Sequence, residues 1–127
     1  MNSLKATMLQ AMSGMQTQSQ RLGVTAENIS NADTPGYRRK LLVDAPGASA
    51  AEAFKAMRVQ LDNTPGERAY DPAHPLADGE GYVTMSNVSL VTEMADMREA
   101  NRSYEANLNS FQQARDMYRS LLDVLRR

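Results

Sequence analysis

The sequence predicts a mainly α-helical protein in which two long terminal helices pack as a coiled-coil-like pair, with a small β-hairpin and loop insert between them. Apolar residues recur every seven positions over the first thirty residues and again over the last forty. This spacing places side chains on one face of a helix. The middle of the chain instead has Pro-Gly turns and short alternating runs. We therefore divide the chain into an N-terminal helix (residues 1–34), an insert (35–86) and a C-terminal helix (87–127).

The last forty residues predict the longer helix, which opens near Asn87 and contains no Pro or Gly. Two rows of positions, offset by four, form one narrow seam of five heptads, on a helix about 55 Å long. The first row is Leu90, Met97, Tyr104, Phe111, Tyr118 and Leu125, and the second is Met94, Asn101, Leu108, Arg115 and Leu122. We expect the polar Asn101 to specify the register between helices. For Arg115, register specification and simple exposure both stay open.

The first thirty residues predict a second helix that starts near Asn2 or Ser3 and runs toward Asn31. Its main row is Met8, Met15, Leu22 and Ile29, and a second row begins with Leu4 and Ala11 before it turns polar. The long apolar seam of the C-terminal helix must be buried against another element. The natural arrangement folds the two helices against each other as an antiparallel or steeply packed pair.

A turn motif ends the first helix, formed by Asn28, Asn31, Thr34, Pro35, Gly36 and Tyr37. Short polar side chains satisfy free backbone groups at a helix end, and Pro-Gly supplies the central pair of a type II turn, with positive φ at Gly36. The basic residues Arg38, Arg39 and Lys40 follow. They fit either a solvated turn at the negative end of the helix or an ion-pairing site for acidic groups of a neighbouring subunit.

The insert predicts short strands separated by turns. Residues 41–43 form a candidate strand, and residues 45–53 are small and suggest a mobile loop. Residues 57–61 alternate with the strand period, and residues 68–70 are the expected partner strand across the turn at 62–66. Residues 82–84 predict a further short strand before the long helix. Such an insert is too small to be stable alone, so it must lean on the helical pair.

Composition excludes several classes of protein. At 127 residues the chain is a single domain by length, and its net charge of −1 argues against general attraction to nucleic acid or anionic membranes. Without cysteine it has no disulfides, thiolate nucleophile or Cys-based metal site. No apolar run is long enough to span a bilayer and no secretory signal is evident. We therefore expect a cytoplasmic protein or one that leaves the cell without a cleaved signal.

The nine Met residues, concentrated on the helices, suit a surface that adapts to several neighbours.

Candidate chemistry is limited to His74, the only histidine, which lies between Asp71 and Asp78. Together these residues would suit a metal site or an acid–base pair in a small hydrolase. The chain has no second His, no nucleophile motif nearby and no glycine-rich phosphate loop. We interpret His74 as an ordered loop residue held by a hydrogen bond, and we expect no catalytic residue, metal or cofactor.

Motifs at both ends of the chain resemble a known family. They are Ser-Gly-Met at 13–15, Gln-Arg-Leu at 20–22, Ala-Glu-Asn-Ile-Ser-Asn at 26–31, Thr-Pro-Gly-Tyr at 34–37 and Ser-Tyr-Glu-Ala-Asn at 103–107. This combination resembles the shared terminal segments of flagellar rod, hook and hook-filament axial proteins. Within that family, the stretch Tyr-Asp-Pro-Ala-His-Pro at 70–75 and the short insert are most similar to the proximal rod proteins. Residues 41–56 lie outside the resemblance, and Ser30 stands where the family more often has Ala.

The resemblance implies a non-enzymatic structural subunit of the bacterial flagellar basal body, located in the periplasmic proximal rod and exported by the flagellar type III system. The implied partners are other rod subunits, copies of the same chain, basal-body ring or adaptor proteins and the export apparatus. A soluble coiled-coil adaptor or export cochaperone is the alternative, but it would need neither the insert nor the turn motif. The interface is expected at Met8, Met15, Leu22, Ile29, Leu90, Met94, Met97, Asn101, Tyr104, Leu108, Phe111, Tyr118, Leu122 and Leu125.

Overall fold

The dominant feature of the computed structural model, which describes residues 2–44 and 57–126, is a pair of long helices. Helix α1 spans Asn2–Ser30 and helix α2 spans Leu90–Leu125. The helices run antiparallel, because Asn28 late in α1 hydrogen-bonds to Glu93 early in α2. At the other end of the pair, the Lys5 ammonium lies 5.9 Å from the centroid of the Tyr118 ring. The predicted mainly α fold with a packed terminal pair is confirmed.

Helix α1 ends where the sequence predicts, and local side chains satisfy its last carbonyls. Ser30 Oγ donates to the carbonyl of Ala26 at 2.9 Å, and Asn31 Nδ2 donates to the carbonyl of Glu27 at 2.8 Å. Such bonds to free backbone groups are why short polar residues are favoured where a helix stops.

Helix α2 begins at Leu90, slightly later than the expected start near Asn87. The reason is that the Asn87 side chain binds other parts of the backbone and does not cap the helix. Its Oδ1 accepts the N–H of Arg39 at 2.6 Å, and its Nδ2 donates to the carbonyls of Asp62 and Thr64 at 3.1 and 2.8 Å. Asn87 therefore ties the insert together just ahead of the helix.

The described part of the insert forms two antiparallel strand pairs. The strands are β1 (Lys40–Val43), β2 (Arg58–Leu61), β3 (Arg68–Tyr70) and β4 (Tyr82–Thr84). Strand β1 pairs with β2, and β3 pairs with β4. The expectation that residues 68–70 return against residues 57–61 is therefore wrong, although each predicted strand exists. The predicted loop at residues 45–53 lies outside the described residues.

The core of the described chain is thin. Its buried apolar side chains are Ala11, Val83, Ala100 and Ala114. Buried polar side chains are equally prominent, namely Thr25, Asn28, Ser86 and Glu93. Neither helix, over the residues described, has an apolar stretch long enough to cross a membrane.

Candidate assembly site

Small side chains fill the interior of the helix pair. Ala11 of α1 and Ala100 and Ala114 of α2 are each 3% exposed. A Cβ atom at Gly14 would lie only 2.6 Å from the side-chain nitrogen of Asn107, so the two helices are in close contact there. Because the distance between packed helices follows the size of the side chains at the contact, these residues bring the axes close together. The large side chains therefore lie at the edges of the pair.

The predicted interface residues occupy those edges. Leu90, Met94 and Leu125 are 48%, 57% and 70% exposed, and Asn101 is exposed as well. The half-buried members are Met8, Met15, Leu22, Ile29, Met97, Tyr104, Leu108, Phe111, Tyr118 and Leu122. A single chain thus leaves large apolar side chains partly solvated along both helices, and exposed apolar surface of this kind marks interaction sites.

The most buried row of α2 is not one of the two predicted rows. It consists of Glu93, Ala100, Asn107 and Ala114, of which only Asn107 is more than marginally exposed. A search for large apolar heptads misses this row because its members are small or polar. The available signal is the pair of alanines fourteen residues apart with Asn107 midway between them.

A buried polar cluster closes one end of the pair. We name this cluster, formed by Asn28, Tyr37, Arg39, Lys40 and Glu93, the polar junction. Asn28 is 1% exposed, and its Oδ1 accepts the Tyr37 hydroxyl and the Lys40 N–H, each at 2.9 Å. Its Nδ2 donates to the Lys40 carbonyl at 2.9 Å and to Glu93 Oε2 at 3.3 Å. All four hydrogen-bonding positions of the amide are used, so one side chain joins α1, the turn motif, β1 and α2.

Glu93 is the charged centre of the junction and is 1% exposed. Arg39 Nε pairs with Glu93 Oε1, and Arg39 Nη2 lies 2.9 Å from Asp96 Oδ2. Burial by itself would lower the pKa of Arg39, but the hydrogen bond to Glu93 and the charges of Glu93 and Asp96 raise that pKa above its usual value. A buried carboxylate requires such a partner. The sequence prediction did not include Glu93, since one acid on a helix usually faces solvent.

The basic cluster after the turn binds acidic groups of its own chain. Arg39 pairs with Glu93, and Lys40 Nζ pairs with Glu27 Oε1. The hydrogen bond to Glu27 raises the pKa of Lys40. Arg38 is exposed and donates from Nε to a backbone carbonyl at 3.2 Å. Neither of the two alternatives drawn from the sequence describes Arg39 and Lys40, whose partners come from the two helices of the same chain.

The turn motif has the predicted geometry. Gly36 has a φ of 74°, and the Tyr37 N–H donates to the Thr34 carbonyl at 3.2 Å, as a type II turn requires. The Gly36 N–H also donates to the carbonyl of Thr84 at 2.9 Å, which attaches the turn to β4. Burial, followed by the charge of Glu27, raises the pKa of Tyr37. The turn thus delivers the Tyr37 hydroxyl to the polar junction in its neutral form.

The polar side chains around His74 hold turns of the insert. His74 Nδ1 accepts the backbone N–H of Leu76 at 3.0 Å. Asp78 accepts the N–H of Tyr82 at 2.9 Å and pairs with Arg68 at 2.7 Å. The bond from Tyr82 is the chief reason that the pKa of Asp78 lies below its usual value. Within residues 2–44 and 57–126, no group of three or more metal-ligating side chains comes together.

Two family profiles match the two ends of the chain. The profile described as "Flagella basal body rod protein" matches residues 8–38, which cover most of α1 and the turn motif. The profile described as "Flagellar basal body rod FlgEFG protein C-terminal" matches residues 80–124, which cover β4 and α2. The matched regions are therefore the two helices and the segments that join them at the polar junction.

Curated relatives match nearly the whole chain. The flagellar basal-body rod protein FlgC of Agrobacterium fabrum is 43% identical over 99% of this chain and 98% of its own length. The protein of the same name from Escherichia coli O157:H7 is 40% identical over 84% of this chain and 87% of its own length. That of Borreliella burgdorferi is 32% identical over 91% and 93%. Since this similarity extends through both helices and the insert, the chain belongs to the FlgC family of flagellar basal-body rod proteins.

Proposed function

We propose that this chain is a structural subunit of the proximal flagellar rod, and that it assembles through its terminal helices with copies of itself and with other rod subunits into a hollow drive shaft. The observation that carries the proposal is the partly exposed apolar surface along both helices. Small residues such as Ala100 and Ala114 already fill the interior of the pair. The larger residues at its edges, such as Leu108 and Phe111, are only half-buried and are available to neighbouring chains.

An open, rod-shaped assembly needs two different surfaces that complement each other on successive subunits. The two sides of the helix pair differ, because β1 packs against α1. A neighbour that covers the edge residues completes their burial, at about 25 cal/mol per Å² of apolar surface removed from water. Lateral contact along the helices therefore offers enough stabilisation to order the pair.

Arg115 supplies a second, independent support. Its Nε is buried without a hydrogen-bond partner among the described residues, and its Nη2 comes only within 3.5 Å of Asp116 Oδ1. Buried donors in stable proteins are nearly always paired. The Arg115 side chain as a whole is 42% exposed in the single chain, so an acidic group of an adjacent subunit would pair with its outer nitrogens.

The proposed location is the periplasmic part of the basal body, reached through the flagellar type III export system. The sequence contains no cysteine, which suits a compartment where stray disulfides form. Ring or adaptor proteins at the rod base and the export apparatus are the further proposed partners. We assign the chain no enzymatic role, because His74 and Asp78 are both engaged in turns.

The test replaces edge residues and follows assembly in cells. Phe111→Ala and Leu108→Ala should each cost about 2–5 kcal/mol at a site that is fully buried only in the assembly. Both variants should be produced but be absent from detergent-extracted basal bodies, and the cells should be non-motile. Gln112→Ala, an exposed neighbour on α2, is the matched control and should assemble normally.

Two results would contradict the proposal. Normal motility of the Phe111→Ala strain would remove this edge from the interface. A wild-type chain that is absent from basal bodies but bound to the export apparatus would instead indicate the cochaperone alternative.

A further inference from the structure

The contact between the two helices is repetitive. Along α2 the contact row advances by sevens from Glu93 through Ala100 and Asn107 to Ala114, and Gly14 of α1 meets Asn107. If α1 slid by one heptad in either direction, Gly14 would face Ala100 or Ala114. Either alanine is small enough to accept the close approach. Packing of small residues therefore does not by itself choose among three registers.

The contacts made by the polar junction would differ among those three registers. In the observed register Asn28 faces Glu93 and its amide is fully hydrogen-bonded. A slide in one direction would place Asn28 against Ala100, where its Nδ2 would lose Glu93, while its bonds to Tyr37 and Lys40 would move with α1. Glu93 would in turn lose both Asn28 and Arg39. A slide in the other direction would leave Glu93 opposite Arg21 and carry Asn28 beyond the start of α2. Buried polar groups without partners are strongly disfavoured.

We propose that Asn28, held by Glu93, is the register-determining residue of the helix pair. A single buried polar contact in an otherwise repetitive helix interface is the best attested means of fixing register. The sequence assigned this role to Asn101, but Asn101 is exposed in the single chain and does not lie between α1 and α2. Asn101 stays a candidate for contact with another chain.

The choice of register has a consequence at the surface. A slip of one heptad would move α1 by about 10 Å along α2 at the usual rise per residue. Met15 and Leu22 would then lie beside different residues of α2. Asn28 would thus position the outer surface without belonging to it. This inference goes beyond the proposed function and holds whether or not the chain assembles.

The absence of cysteine from the sequence allows a direct test by disulfide trapping. Three full-length variants carry Gly14→Cys together with Asn107→Cys, Ala100→Cys or Ala114→Cys, and report the observed register and the two shifted ones. The two shifted reporters also carry Asn107→Ala, because a Cβ at position 14 would otherwise lie 2.6 Å from the Asn107 side chain in the observed register. Mild oxidation in dilute solution, followed by non-reducing electrophoresis and mass spectrometry, measures the intramolecular disulfide. With the junction intact, the 14–107 pair should exceed each shifted pair by at least about tenfold, the ratio that one lost buried hydrogen bond produces.

Adding Asn28→Leu should reduce that excess to below about threefold while the helical circular dichroism is retained. Glu93→Gln keeps an acceptor oxygen for Asn28 and should preserve the observed register. Ser30→Ala is the matched control, since Ser30 bonds only within α1, and it should not change the disulfide ratio.

If Asn28→Leu loses its helical signal, the smaller change Asn28→Ser is assessed by the same ratio. A tenfold excess of the 14–107 pair that persists in the folded Asn28 variant would overturn the proposal, because a merely stabilising residue lowers the melting temperature without redistributing the disulfides. No assembly is needed for this readout, so its failure would leave the proposed rod function untouched.

Discussion

Replacing Asn28 by Ala should destabilise the chain more than any other single substitution of a polar residue in α1. The change removes one side chain and leaves four polar groups without their partner. These are the Tyr37 hydroxyl, the N–H and carbonyl of Lys40, and Oε2 of Glu93. The site is 1% exposed, so water does not readily replace the lost amide.

The size of the effect follows from how many of those groups stay unsatisfied. Glu93 retains Arg39 as a partner, and the half-buried Tyr37 hydroxyl can rotate toward solvent. The two backbone groups of Lys40 have no such alternative, because they lie on the edge of β1 that faces Asn28. At about 1–3 kcal/mol for each unsatisfied group, the expected loss is about 3–4 kcal/mol. This is a large share of the roughly 5–15 kcal/mol by which domains are stable.

Urea unfolding of the full-length chain, followed by circular dichroism, measures this loss as a fall in the midpoint at constant slope. Asn31→Ala is the matched control. Its Nδ2 donates to the Glu27 carbonyl and its Oδ1 accepts the Thr34 hydroxyl, both at the exposed end of α1. Water can replace both bonds, so the cost should stay below about 1 kcal/mol. If the two variants differed by less than about 1 kcal/mol, the hydrogen bonds of Asn28 would not be net stabilising and the reasoning would be refuted.

Four further outcomes are expected. Gly36→Val should impair incorporation into basal bodies more than Gly36→Asn, because a φ of 74° disfavours a β-branched residue; equal incorporation would contradict this. Gly14→Leu should lower stability by about 1–3 kcal/mol in thermal unfolding, since even a Cβ would lie 2.6 Å from Asn107; an unchanged melting temperature would rule out the close approach. The Tyr82 N–H is the chief cause that holds the pKa of Asp78 below its usual value of 3.8. The ionised Asp78 carboxylate therefore stabilises the fold fully above that pH, and this stabilisation is lost as the pH falls further. Asp78→Asn should flatten the pH dependence of stability in acid unfolding monitored by circular dichroism. Protease should remove the start of α1 and the end of α2 from the dilute chain before it cuts near the polar junction, and the reverse order of cleavage would argue against fraying.

Local patterns in the sequence were sufficient to predict the elements of the fold. The heptad spacing of Met8, Met15 and Leu22 gave helix α1 nearly to the residue. The Pro35-Gly36 pair predicted a positive φ at Gly36, and the structure has one there. Both features depend on neighbouring residues alone, which is why they can be inferred without knowledge of the rest of the chain.

Contacts between distant segments could not be predicted in the same way. Strand β3 pairs with β4 instead of β2, although strand periodicity is the same in all of them. The partners of Arg39 lie on α2, more than fifty residues away. Likewise, Glu93 cannot be distinguished in the sequence from an acidic residue on the exposed face of a helix. It is buried only because the segment that leads into β1 packs beside it. These contacts depend on which elements lie together in space, and composition and spacing leave that choice open.

The arrangement of small and large side chains explains why folding and assembly would be coupled in the proposed rod. Helices of 29 and 36 residues gain most of their stability from packing, yet small side chains fill the contact between them. Ten large edge residues remain half-buried. Because most of each side chain is already covered, completing its burial gains about 0.5 kcal/mol per residue, about a quarter of the usual value for a large apolar side chain. The sum over the ten residues is about 5 kcal/mol, at the lower end of the stability of an ordinary domain. A chain built in this way stays loosely paired while its edges are in water and becomes rigid when neighbours cover them. Before neighbours cover the edge residues, other contacts must hold the register of the two helices. The polar junction is the buried contact that can do so.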